Sequence, residues 1–165
     1  MMRILGLDPG LRHTGWGLIE KQGSRFVFVA AGVINPDDKL PLANRLAEIH
    51  TSLKKLIEDW RPDTAAVEET FVNKNPSSTL KLGQARGIVL MTPALYGLEV
   101  GEYTPNQIKK TITGVGHAEK PQVDMMIHTL LKTVPDNIPA DASDALAIAL
   151  THGFLGCHQH KILTP

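Results

Sequence analysis

The period of apolar and polar positions changes several times along the chain, and each change marks an element. "RILGLD" (residues 3–8) is a short apolar run that stops at Asp-Pro-Gly, a turn signal. "TGWGLIEK" (14–21) and "SRFVFVAAGVI" (24–34) read as two more strands separated by "QGS". The first 35 residues therefore predict an antiparallel meander. Helical spacing begins at Leu42. Leu42, Leu46, Ile49, Leu53, Leu56, Ile57 and Trp60 share one face, with Lys54, Lys55, Glu58 and Asp59 opposite. "RPD" ends that helix, and "TAAVEE" (64–69) is a short strand that stops at acids. "SSTLKLGQARGIVLMTPALYG" (77–97) predicts a second helix, capped by Ser77 or Ser78 and kinked or ended by Pro93. A strand, "LEVGEYTP" (98–105), and a helical "NQIKKTITG" (106–114) follow. The glycine turn "VGH" leads to "EKPQVDMMIHTLLKT" (119–133) and the closing "IPADASDALAIALTHGFL" (138–155). The predicted order is βββ-α-β-α-β-α-α, a mixed α/β chain without internal repeats.

Composition narrows the class. At 165 residues, 42% apolar and 21% charged, the chain predicts one domain over residues 1–157 and a frayed tail over 158–165. One cysteine, Cys157, gives no disulfide framework and suits a reducing cytoplasm. The N-terminal "MMRILGLDPG" is no signal-peptide core, and no run approaches the ~20 apolar residues of a membrane span. A soluble cytoplasmic domain with no membrane partner is the expectation. The net charge is zero, yet residues 73–120 carry 6 Lys/Arg against 3 Asp/Glu between more acidic flanks. Divalent cations bound to the acids would shift that balance further toward phosphate binding.

The candidate chemistry lies in carboxylates. On a helix, Asp141 and Asp144 continue the stripe of Ala145 and Ile148, where an ionised acid costs several kcal/mol unless compensated. Helix capping is one account, with Asp141 as N-cap and Asp144 in the first turn. Two more acids offer another. Asp8 ends "ILGL" and Glu68 ends "AAV", and each taken alone reads equally well as an Asx turn or a solvated strand end. Core strands joined by a helical crossover run parallel, so both acids would reach one sheet edge, and a packed helix could add Asp141 and Asp144. Four converging carboxylates repel one another unless hard cations lie between them. One or two magnesium ions suit that oxygen-only set.

Four blocks carry a family resemblance: "ILGLDPGLRHTGWGLIE", "VEETFVNKNPSSTLKLGQARG", "TITGVGHAEKPQV" and "PADASDALAIALTH". In order and spacing, over nearly the whole chain, they resemble the RuvC family of Holliday-junction resolvases. That resemblance implies an RNase H-like fold with a five-stranded mixed sheet flanked by helices. It implies a homodimer that cuts four-way DNA junctions symmetrically in recombination and repair, partnered by the RuvA and RuvB branch-migration proteins. It implies two Mg²⁺ ions per site, with Mn²⁺ as substitute, held by Asp8, Glu68, Asp141 and Asp144. Asp8 is the expected bridging ligand; Glu69, pointing to the other face, is not a ligand. Lys120 is the expected catalytic cation, and Phe71, Lys74, Lys81, Arg86, Lys109 and Lys120 are the expected DNA contacts, Phe71 by stacking on an unpaired base. Gly114 and Gly116 read either as phosphate-approach points or, for a helix end, as a C-cap. His117 reads as a surface histidine and His152 as packing. The helix from Ser78 to Leu95 is the candidate dimer interface. A non-cleaving junction-binding module and a fragment of an actin-like ATPase are the competing classes.

Overall fold

The computed structural model describes residues 1–69 and 74–156. It contains β1 (Met2–Asp8), β2 (Thr14–Gln22), β3 (Arg25–Ile34), α1 (Leu42–Trp60), β4 (Thr64–Glu68), α2 (Pro76–Leu95), β5 (Glu99–Tyr103), α3 (Pro105–Thr113), α4 (Lys120–Leu130) and α5 (Ala140–Leu155). Three helices follow β5 where the predicted order has two, although the helical reading of residues 106–114 matches α3. α3 is closed at both ends. A capping box pairs Thr104 with Gln107 at its start, and Gly114, at φ 81°, ends it by donating to the Lys110 carbonyl. Gly114 is thus a C-cap. The start of α2 also differs from expectation. Asn75, not Ser77 or Ser78, is the cap, because Pro76 takes the first helical position and the Asn75 side chain accepts from both serine N–H groups. Pro93 lies inside α2, which ends at Leu95.

The five strands form one sheet in the order β3-β2-β1-β4-β5. β1, β2 and β3 make the antiparallel meander, whereas β1–β4 and β4–β5 are parallel, with Leu7 opposite Val67 and Glu68 opposite Tyr103. The alternation of strand side chains divides the core in two. Leu5, Leu7, Ala65 and Val67 face α1 and α2, packing on Ile49, Leu53, Ala85 and Val89. Ile4 and Ala66 face the other way, onto α3, α4 and α5 through Ile108, Ile127, Leu146 and Ile148.

α5 is buried around its whole circumference from Ala142 to Gly153, apart from Asp144. Glycines in the sheet allow this. A Cβ on Gly6 would lie 2.0 Å from the Ala145 carbonyl oxygen, and one on Gly15 would lie 2.0 Å from the Asp141 carbonyl oxygen. The helix therefore rests on bare backbone of β1 and β2. A buried polar set fastens its far end, in keeping with the packing role expected for His152. The Thr64 hydroxyl donates to the Glu99 carbonyl (3.0 Å), so it accepts from His152 Nε2 (2.9 Å). Nδ1 is then the acceptor for the Tyr103 hydroxyl (2.8 Å), an assignment that follows from the donor inventory. Burial lowers the His152 pKa, which keeps the ring neutral and this pattern intact.

Candidate active site

Asp8 and Glu68 are the last residues of neighbouring parallel strands, so both side chains leave the sheet at the same edge. The pleat sends them to the face that already carries Ile4 and Ala66, the face covered by α5. Asp141 and Asp144 come from the first turns of α5. Asp141 is not an N-cap, because Pro139 holds that position and no side chain caps the helix. The close seat of α5 on Gly6 and Gly15 therefore delivers both acids to the edge where β1 and β4 end.

The carboxylate oxygens of Asp8, Asp141 and Asp144 lie within 4.8 Å of one another. Glu68 is outside that set. It lines an adjoining cavity of about 510 Å³ together with Asp144, Lys109, Lys120 and His117. Lys120 donates to Asp144 in a short ion pair. Burial, then the charges of Glu68, Asp144 and Asp141, push the Asp8 pKa up to about 8, with Lys120 opposing. Glu68 is raised by burial and by Asp144, with Lys109 and Lys120 working the other way. Burial works to lower the Lys120 pKa, but its hydrogen bond to Asp144 and the charges of Asp144, Asp124 and Asp8 outweigh it and hold the pKa above the ordinary lysine value.

This donor set suits a hard divalent cation: three converging oxygens, no sulfur or nitrogen ligand, and an acid that stays protonated near neutrality without a counter-charge. Asp8 binds its proton more tightly folded than unfolded, so the metal-free protein loses stability as pH rises from about 4 towards 8. A cation replaces that proton and reverses the trend. Magnesium is therefore expected to raise the melting temperature more at pH 8 than at pH 6, with apparent affinity roughly 50-fold weaker at the lower pH. Calorimetry at both values checks this, and equal shifts would take Asp8 out of the cation site.

The other expected residues divide into groups. Lys109 and Lys120 border the cavity beside Glu68 and Asp144. Lys81 borders a second groove that Asp8 and Asp141 also line. Lys74 is exposed just ahead of α2. Arg86 is engaged by the protein itself: its guanidinium pairs with Glu102 and donates to the Glu68 carbonyl, fastening the end of β4. Phe71 lies outside the described residues, as do Cys157 and the histidines after it. Sequence reading passed over Arg12 and Arg45, which line the groove with Lys81. Arg12 follows Asp8 by one turn-length of chain, the one signal that could have pointed to it. His117 is exposed, as expected, yet it borders the acid-lined cavity.

A five-stranded mixed sheet with acids where two parallel strands end, crossed by a helix bearing two more, defines an RNase H-like fold. Residues 4–152 match the family model described as Crossover junction endodeoxyribonuclease RuvC, and the chain belongs to that family. A Crossover junction endodeoxyribonuclease RuvC from Rhodopseudomonas palustris (strain BisA53) is 57% identical over 92% of this chain and 86% of its own length. One from Azorhizobium caulinodans is 59% identical over 92% of this chain and 89% of its own. The solved structure of T. thermophilus RuvC in complex with Holliday junction substrate superposes with a TM-score of 0.90 at 32% identity, covering 96% of this chain and 97% of that one. The yeast mitochondrial Holliday junction resolvase Ydc2 shares the fold, with a TM-score of 0.68 at 12% identity over 98% of this chain and 85% of its own. Among the described residues no helix is long and apolar enough to cross a membrane.

Proposed function

We propose that this protein resolves four-way DNA junctions, cutting two opposed strands by metal-dependent phosphodiester hydrolysis in recombination and repair in the cytoplasm. The observation that carries this reading is the convergence of Asp8, Asp141 and Asp144 in a chain of the RuvC family. Asp8, Glu68, Asp141 and Asp144 would hold two magnesium ions, which would supply Lewis acidity and activate water for the hydrolysis. The protein's own groups do the rest. The acids fix the ions at the end of a buried helix. Lys120 and Lys109, beside Glu68, meet charge that develops on the phosphate. Lys74 and Lys81 bind backbone phosphates further out, and Phe71 stacks on an unpaired base. Arg86 acts through the strand end it holds. No serine, cysteine or tyrosine is needed as a covalent nucleophile.

A single domain over residues 1–157 and a functional homodimer belong to the same reading. α2 supports the dimer: Leu80, Met91 and Leu95 are 64%, 43% and 67% exposed. They fall on one helical face with Gly83 and Gly87, where an added Cβ meets nothing. An apolar stripe with two bare positions suits a second copy of the same helix packed closely against it. Met91→Glu with Leu95→Glu is expected to give a monomer by light scattering, with the melting temperature little changed. A dimer of unaltered mass would place the interface elsewhere. Partnership with RuvA and RuvB enters through the family alone. The function itself is tested with end-labelled four-way junctions across a magnesium titration. Paired symmetric nicks support it; a band shift without cutting supports the binding module, and ATP turnover the ATPase.

A further inference from the structure

Next to the acid cluster lies a wall of opposite charge. A groove of about 740 Å³ is lined by Asp8 and Asp141, by Arg12, Arg45 and Lys81, and by Asp38. The groove carries both signs, and the acids of the cluster and the cations come from different elements. The acids end β1 and begin α5; Arg12 lies in the turn after β1, Arg45 in the first turns of α1, and Lys81 on α2. Arg45 donates through Nη2 to the Leu11 carbonyl (3.3 Å), while its Nε is buried and without a hydrogen-bond partner among the described residues. A guanidinium held in this way has a fixed plane and donor capacity to spare. Among the described residues Arg12 has only a long contact to Asp38, 3.9 Å, with side chains 77% and 61% exposed. Such a pair contributes little and exchanges readily for a better anion.

We propose that this groove is a track for the DNA backbone, in which Arg12, Arg45 and Lys81 hold a phosphate flanking the one at the acid cluster. Asp38 pairs with Arg12 until that phosphate arrives. The sign pattern selects the ligand class. A small free anion drawn by the three cations would face repulsion from the Asp141 carboxylate that lines the same groove. A polyanion escapes that repulsion, because its next phosphate meets cations held by the acid cluster. Two neighbouring phosphates are thus read by two unlike walls, which fixes the direction and register of a strand without any base contact. This inference rests on the reading of the protein as a DNA enzyme, and it gives Arg12 and Arg45 a positioning and binding role.

The test is binding of a synthetic four-way junction with calcium in place of magnesium, measured across a range of salt. For Arg12→Gln with Lys81→Gln, the slope of log affinity against log salt is expected to shrink by about 0.9, the release expected for one duplex phosphate contact. Asp38→Asn is expected to act in the opposite direction, tightening binding by about threefold. Lys132→Gln, the same charge change beside Phe26 at the far side of the sheet, is expected to match the wild type. These side chains are largely exposed, and a thermal melt confirms that each variant folds. The proposal is overturned if the double variant keeps the wild-type slope, or if Asp38→Asn binds no more tightly. Failure of the junction reading looks different: the wild type would neither prefer junction to duplex nor nick it with magnesium, while the slopes on duplex would still decide the groove.

Discussion

Asp8→Asn is expected to reduce junction cleavage by about 10³-fold while leaving junction binding close to wild type. The amide is nearly isosteric, so neither the seat of β1 nor the acids of α5 need move. What changes is charge. Asp8 lies among three other carboxylates, and burial with those neighbours already raises its pKa to about 8. A cation must overcome that cost to bind, and the ionised Asp8 side chain is the ligand best placed to repay it. With asparagine, one negative charge leaves the centre of the set, and the ions lose several kcal/mol of attraction. Several kcal/mol in the barrier is two to three decades in rate. Single-turnover cleavage under saturating protein and magnesium is the measurement. Wild-type nicking by this variant would remove Asp8 from the reaction.

The second large effect is expected from a residue with no side chain. Gly15→Ala places a methyl group 2.0 Å from the Asp141 carbonyl oxygen and 3.0 Å from its Cβ. No rotamer relieves that contact, because the obstacle is backbone. Helix α5 must lift by about an ångström at the end that carries both acids. Overpacking of this kind costs roughly 1–3 kcal/mol of stability. The larger consequence is for chemistry, since a displacement of about 1 Å at a reacting centre costs on the order of 10²-fold in rate. Magnesium affinity should fall together with cleavage, which separates this effect from simple unfolding. If the folded variant cleaves and binds magnesium as the wild type does, α5 does not depend on that close seat.

These two residues show how differently the parts of the site can be read from sequence. Asp8 and Glu68 were legible because an apolar strand that stops at an acid is a local pattern, and the parallel pairing of their strands follows from connectivity. Asp141 and Asp144 were legible because acids on an apolar stripe demand an explanation. Gly15 was not, since the "TGWG" glycines read as strand or loop residues until the helix above them is known. The cap at Asn75 was hidden by two serines of equal propensity. Arg86 illustrates the limit for charges. Sequence reports that a guanidinium exists, whereas its pairing with Glu102 and the Glu68 carbonyl depends on the distance between α2 and β5. Arg12 and Arg45 were missed for the same reason, being brought to one groove by elements far apart in the chain.

The burial of α5 from Ala142 to Gly153 has a mechanical consequence. A rod enclosed on all sides, resting on strand backbone and hitched at its far end through His152, has almost no compliance. Its tip cannot swing out to meet a strand. A strand that reaches this tip therefore has to bend toward α5, and the elastic softness of the junction becomes part of the cutting geometry.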